Sequence, residues 1–462
     1  MRYLNIFLSA VAAVISSVAV AETILVPSEY AHIQEAIDVA VDGDIVLVSD
    51  DTYFETIDFL GKAITISSES GIPDNVFIDG LFSSGAPVVS FATEETTTSV
   101  LEGFTIRNGS ASDGAGIYIN GAAPTINNCI IKSNNSSGFG AGIYVESGTL
   151  NLNNSTINGN TSSGAGGGVY LKTSDGSISN CSIQFNLANN GGGLYVKDGT
   201  GDFNITSSDI IGNEVSANAG GLYNKNSNVL VQDCSFTDNS SNKGGAWYSY
   251  SSGDATISNT IFTDNSCLES GGAANIRSSS DVTFNQCTFD TNVADSDCDG
   301  VGGSGVIEMT SNCTVILDSP TICVNLVCDV IEDFSGIEPT INGEIQGCSS
   351  GLGACCGGVA CWEMTHNDCL EGGGTYSGED TACQMVECFG TDAGACCMID
   401  ICIMAASEGA CIEAGGLFQG AMILCDDEEV SCPEGCPADL SGDGSVEVND
   451  IIELISAWGA CP

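Results

Sequence analysis

Near the C-terminus, Asp439-Leu440-Ser441-Gly442-Asp443-Gly444-Ser445-Val446-Glu447-Val448-Asn449-Asp450 puts oxygen-bearing groups at positions 1, 3, 5, 7, 9 and 12, with glycine at position 6. That spacing suits Ca2+, a hard cation that gathers six or more oxygens around a sharply turned loop. Asp439, Ser441 and Asp443 open the loop, Ser445 offers its backbone carbonyl, Glu447 acts through a water, and Asp450 closes it. Ile451 to Trp458 then reads as a short amphipathic helix. A second acidic loop, with Asp295, Asp297 and Asp299 before Gly300, has the same opening spacing. There Val306 holds position 12 and the next acid is Glu308, so the closing ligand is misplaced and this is the lesser calcium candidate.

Other chemistry is sparse. Elimination on an acidic polysaccharide needs a base beside the uronate carboxylate and a cation that neutralises the acid. The candidate bases are Arg107, Lys132, Lys172, Lys197, Lys225, Lys243 and Arg277, scattered along the chain with nothing evident to gather them. The two histidines, His32 and His366, lie outside the repeats described below, which leaves no histidine catalysis there.

Nine basic against sixty acidic residues give a formal charge of −51, and no Lys or Arg follows Arg277. Nucleic acid and anionic lipid need basic side chains to replace counterions, so both are poor partners. Self-repulsion of this size calls for screening, and calcium is the natural screen outside a cell. Residues 1–21, with Arg2, an apolar run from Ile6 to Val20 and Ala19-Val20-Ala21 before Glu22, read as a secretory signal. No later stretch is long and apolar enough to span a bilayer. The expected localisation is secreted, extracellular or attached to the cell surface.

The elements that must carry these groups are legible from a repeat. Asn134, Asn160, Asn186, Asn213, Asn239, Asn265 and Asn292 recur every 26 or 27 residues, each with Ile or Phe three positions earlier. A polar bend follows, then glycine, then an apolar-Tyr step, giving a second column at Tyr118, Tyr144, Tyr170, Tyr195, Tyr223 and Tyr248. Short alternating strands at a fixed period mean a stack of coils, each unable to bury its apolar face alone. The fold class is all-β, a right-handed parallel β-helix, with three strands expected per coil. Asparagine is expected to take the left-handed corner and to hydrogen-bond its amide along the stack. The tyrosines form a structural row or, facing outward, a platform for sugars. Cys129, Cys181, Cys234 and Cys287 occupy alternate coils, ~9.6 Å apart and beyond disulfide reach, and read as buried thiols. Residues 30–41 form an amphipathic helix with Ile33, Ala36, Ile37 and Ala40 on one face, expected to plug the open end.

The run from Ile33 to Ile37, then Gly43 to Val48, Thr52 to Glu55 and Gly61 to Ile66, resembles the opening of secreted pectate-lyase-like right-handed β-helix proteins. Phe236 to Asn239 with Gly244 to Ala246, and Phe262 to Asn265 with Gly271 to Ala273, are similar to repeats of polymorphic outer-membrane proteins, which are surface adhesins. The resemblance spans about residues 22–345. It implies the fold, while the activities on that fold include lyases, hydrolases, adhesins and scaffolds. The hydrolase elements Asn-Thr-Asp, Asp-Asp and Gly-His-Gly on successive coils are absent.

Residues 346–432 hold a tandem repeat, Cys355-Cys356, Cys361, Cys369, Cys383 and Cys388 followed by Cys396-Cys397, Cys402, Cys411, Cys425 and Cys432. Six cysteines in ~40 residues point to three disulfides per copy, with connectivity open. Residues 433–462, which contain the C-terminal loop, resemble one duplicated segment of a type I dockerin. That resemblance implies calcium and a cohesin-like partner, although dockerins carry two segments and here there is one. Together these features describe a non-catalytic adhesion or carbohydrate-binding protein held by a calcium-dependent tail, its partner an extracellular polysaccharide or cell-surface component. The alternative is a polysaccharide lyase or glycoside hydrolase.

Overall fold

The computed structural model describes residues 21–81, 85–296, 303–310 and 312–322, together with short strand segments between 326 and 421. The chain divides into two compact units, 1–347 and 348–462.

The first unit is a parallel β-solenoid of about eleven coils. Its strands line up in four sheets, numbered here in the order a coil visits them. In one coil they are Thr149–Asn153 (sheet I), Thr156–Asn158 (sheet II), Thr161–Ser162 (sheet III) and Val169–Lys172 (sheet IV). Each strand pairs in parallel with its counterpart one coil away. Three strands per coil therefore holds for the first two coils, Ile45–Asp58 and Thr65–Phe91, whereas the coils from Val100 to Met309 have four. From Ser110–Ala111 onward the polar segment after each asparagine becomes a rung of sheet III. Near-constant coil length is what brings these short segments into register.

The interior column of sheet II runs Ile106, Ile131, Ile157, Ile183 and Ile210, then Phe236, Phe262 and Phe289, all fully buried. The three phenylalanine rings stack at 5.0 and 5.2 Å. Sheet IV accommodates the larger rings by placing Trp247 between Leu222 and Ala274, a large-small alternation that keeps interior density constant.

Between sheets II and III lies the asparagine stack. From Asn134 to Asn292, each amide Nδ2 donates to the Oδ1 of the next asparagine at 2.9–3.0 Å. Each also donates to a carbonyl of the preceding coil, as Asn160 does to Ile131 O at 2.9 Å. The asparagines do not take the left-handed corner. The residue before each does: Ser133, Gly159, Phe185, Gly212, Asp238, Asp264 and Thr291 have φ between 51° and 63°. The corner residue turns the chain, and the turn points the following amide inward, where only a side chain that donates and accepts is fully satisfied.

Between sheets I and II, Cys129, Ser155, Cys181, Ser208, Cys234, Thr260 and Cys287 form a second buried column. Ser155 Oγ accepts from Cys129 N and Ser208 Oγ from Cys181 N, both at 3.0 Å. Cys267 in sheet III is also a buried free thiol, and Cys313 a half-buried one, so at least six of the 24 cysteines do not pair rather than four. Burial pushes the Cys129 and Cys287 thiols up to about 12 and those of Cys181 and Cys234 to about 11. The fold thus favours the neutral thiol. This contribution is complete below the ordinary thiol value of 9.0 and is lost as pH climbs towards 11–12. We expect these cysteines to resist a thiol reagent at pH 8 until denaturant is added; labelling of the native protein within minutes would show that the stack is open.

The single α-helix among the described residues, α1 (Ile33–Val39), is shorter than 30–41 because the backbone is extended at His32 and leaves the helical angles at Ala40. It buries Ile33, Ala36 and Ile37 against the first coils. Glu55 accepts from the backbone N–H groups of Ile33 and Gln34 at 2.9 and 3.0 Å, satisfying its first turn. Lys62 Nζ donates to the carbonyls of Ile37 and Asp38 at 2.6 and 2.8 Å, satisfying its last.

The second unit contains two antiparallel sheets of equal topology, Leu352–Gly357, Ala360–Thr365 and Thr375–Tyr376, then Gly394–Met398, Ile401–Ala405 and Leu417–Ala421. Register sets Cys356 opposite Cys361 and Cys397 opposite Cys402. Thr375–Tyr376 and Leu417–Ala421 supply the third strands, with Tyr376 opposite Cys355 and Phe418 opposite Cys396.

Candidate functional site

Alternation along sheet IV decides what faces out. Val169 and Leu171, like Leu194 and Val196, are buried in the core, so Tyr170 and Lys172, Tyr195 and Lys197 share the outer face. Tyr118, Tyr144, Tyr170, Tyr195, Tyr223 and Tyr248 are in register there, with successive ring centroids 5.5, 5.5, 5.1, 4.6 and 5.0 Å apart. The row is outward, and its packing is that of a structural row. Each ring inside the row has a ring on both faces, Ala165 and Ala219 of the loops between sheets III and IV pack against the row, and Tyr144, Tyr170, Tyr223 and Tyr248 are buried. Burial and the nearby Asp198 charge push the Tyr195 phenol up to about 12, so it is a hydrogen-bond donor at neutral pH.

Two residues beyond the tyrosines runs a second outward column. Lys172, Lys197 and Lys225 are direct register partners, one coil apart. The fold therefore gathers bases that are scattered in sequence. Arg277 lies one residue past the strand that continues this sheet, and Lys243 on the flanking end of sheet III. Five of the chain's nine basic residues thus occupy one region. Lys172 is bonded to Glu146, which that bond holds below the usual carboxylate range. Lys197 meets Asp198 at 3.8 Å. Lys225 lies over the Tyr250 ring at 5.8 Å and makes no salt bridge among the described residues.

Beside the column, Phe139, Gly164, Ala165, Tyr170, Asn189, Asn190, Tyr195 and Lys197 line a recess of about 280 Å³. At the far end of the ladder, where Asn275 takes the tyrosine position, a polar cluster replaces it. Lys243 Nζ pairs with Glu269 at 2.7 Å. Arg277 Nε donates to Asn275 Oδ1 at 2.6 Å, and Asn275 Nδ2 donates to Ser270 O and Oγ, each at 3.0 Å. Tyr248 sits against this cluster, its phenol raised by burial and lowered by the charge of Arg277.

Residues 141–319 match the family model described as right handed beta helix region. Among solved structures, the chain is similar to a mannuronic acid specific polysaccharide family 6 lyase enzyme from human gut microbiota, at 13% identity and a TM-score of 0.34, covering 70% of this chain and 83% of that one. It is also similar to an alginate lyase from Paenibacillus sp. str. FPU-7, at 14% identity and a TM-score of 0.36, covering 70% of this chain and 99% of that one. No curated protein matches the sequence.

The calcium candidates fare differently from the bases. Asp439, Ser441, Asp443, Ser445, Glu447 and Asp450 lie outside the described residues, as do Asp297 and Asp299. Asp295 is buried at a left-handed corner, φ 49°, just after the sheet III strand Val293–Ala294. Among the described residues no cluster of three or more His, Cys, Asp or Glu is placed to hold a metal ion, and no helix is long and apolar enough to cross a membrane. Lys132 and Arg107 stand on sheet II, away from the column, with Arg107 held by Asp79 at 2.7 Å.

Proposed function

We propose that this protein is exported and binds an anionic polysaccharide along the outer face of sheet IV. Its C-terminal loop, residues 439–450, takes calcium and tethers the solenoid to a surface or to a cohesin-like partner, while α1 closes the exposed end of the core. The observation that carries the binding reading is the Lys172–Lys197–Lys225 column. In a chain of charge −51, cations repeat at one coil, ~4.8 Å, close to the advance of one sugar unit along an extended glycan. Net charge alone argues against an acidic ligand. At physiological salt, however, charges farther than about 8 Å are largely screened, so the nearest cations decide the contact. Repetition over several coils supports multivalent binding of a polymer.

A polysaccharide lyase is the second reading, favoured by the Lys243, Glu269, Asn275 and Arg277 cluster beside Tyr248. A basic side chain there would take the proton next to a uronate carboxylate, with the neighbouring cation neutralising the acid. One experiment separates the two. The mature protein with calcium is incubated with polygalacturonate, alginate and a neutral glucan, following unsaturated-uronate absorbance and retention on the same polymers. Binding to the acidic polymers without turnover is the expected result; turnover abolished by Arg277→Ala would establish the lyase; retention of none of them would end both readings.

For the tail, titration of the chelated full-length protein with Ca2+ should show a site that Asp443→Ala removes. Unchanged stoichiometry in that variant would take calcium out of the loop.

A further inference from the structure

Stacking deprives the tyrosine ladder of ring faces, which leaves open where this surface grips an individual sugar. Phe139 is an aromatic residue in position to do so beside the recess. It projects from the loop between sheets III and IV, is 41% exposed, and leans on Tyr170 with centroids 4.9 Å apart. The equivalent loop position in the next coil is Ala165, with Gly164 before it. A Cβ on Gly164 would come within 2.9 Å of the Phe139 ring and 2.4 Å of Gly138 O, so the absence of a side chain there keeps the ring in place. Asn189 is fixed on both sides, donating to Ser163 O at 2.7 Å and accepting from Ser216 Oγ at 3.1 Å. Asn190 Oδ1 accepts from Asn218 at 3.0 Å, while its Nδ2 donates to no acceptor among the described residues. Lys197 closes the far wall.

We propose that this recess is an anchoring subsite for a single hexuronate unit of the polysaccharide, a proposal that rests on the polysaccharide reading. At about 280 Å³ it falls at the lower bound of drug-sized sites, a volume suited to one pyranose ring. The apolar face of the sugar lies against Phe139, its carboxylate meets Lys197, and a ring hydroxyl accepts from Asn190 Nδ2. Charge fixes the orientation. Glu146 and Asp113 lie on the side towards earlier coils; on the later side Lys197 and Lys225 outnumber Asp198, which meets Lys197 at 3.8 Å, so the carboxylate points to the later coils.

The test is calorimetric titration of the full mature chain with octamers prepared from polygalacturonate and from alginate. Phe139→Ala should weaken the better-bound octamer roughly tenfold without altering its salt dependence, and Phe139→Tyr should restore it to within about twofold. Lys197→Gln should weaken binding and flatten the salt dependence. Phe139 stands on an exposed loop and Lys197 at the outward end of a strand, so thermal unfolding should be unchanged in all three, which is checked alongside. If Phe139→Ala binds as the parent does while the Lys172, Lys197 and Lys225 triple variant does not, the subsite is wrong and the polysaccharide reading stands. If the parent binds neither octamer, the reading and the subsite fall together.

Discussion

Replacing Lys172, Lys197 and Lys225 together by glutamine should weaken binding to a hexuronate polymer by about a hundredfold at low salt, taking about 1 kcal/mol for each exposed charge contact. The parent protein should lose most of this advantage in ~1 M salt, where the screening length falls to about 3 Å, and the triple variant should scarcely respond. Lys132→Gln is the control, because Lys132 has the same charge but stands on sheet II. The prediction depends on the three cations acting as a column. Lys172 is tied to Glu146, so its replacement also leaves a carboxylate facing the polymer and adds repulsion to lost attraction. A triple variant that binds like the parent, or a Lys132 variant that binds as poorly as the triple, would remove sheet IV from consideration.

The lysine column was present in the sequence as a constant offset. Lys172, Lys197 and Lys225 each follow a tyrosine of the repeat by two residues, and in a strand a separation of two means the same face. The total number of bases hides this offset, and their position within the period shows it. Cys267 was similarly legible, since it stands at the position of Ser241 in the preceding coil, a column of small inward residues in sheet III. The fourth strand was harder to see. Two-residue rungs such as Asn135–Ser136 have no alternation of their own and exist only because their neighbours on adjacent coils are in register. The end-of-ladder cluster was not legible either. Lys243, Glu269 and Arg277 occupy three different positions in the repeat, and only the bend from sheet III into sheet IV brings them together. Columns repeat in sequence, whereas a site built across a corner does not.

The same distinction explains why a single asparagine in the middle of the stack should matter more for stability than any surface charge. Asn239 Oδ1 accepts from both the backbone N and the amide Nδ2 of Asn213, at 3.1 and 3.0 Å. Its own Nδ2 donates to Ile210 O at 2.8 Å and to Asn265 Oδ1 at 3.0 Å. Asn239→Ala removes all four of these buried bonds; Asn265 Oδ1 keeps the Asn239 N–H and Asn213 Nδ2 keeps Ile183 O, but the Asn213 N–H loses its amide partner and a cavity opens in the stack. At about 1–3 kcal/mol for each unsatisfied buried group, and allowing for partial relaxation, the loss should be about 3–5 kcal/mol. Asn239→Asp retains the acceptor but buries a charge and removes both donor bonds, so it should be no better. Because each coil contacts only its neighbours, the damage should appear first as faster amide exchange in the coils holding Asn213 and Asn265, with the coils near α1 unaffected. Asp238→Gly, at the left-handed corner beside it, should by contrast be nearly neutral, since glycine adopts φ 56° without strain. A loss below about 1 kcal/mol for Asn239→Ala, or exchange that rises uniformly over the whole solenoid, would mean that the amide stack is not what joins one coil to the next.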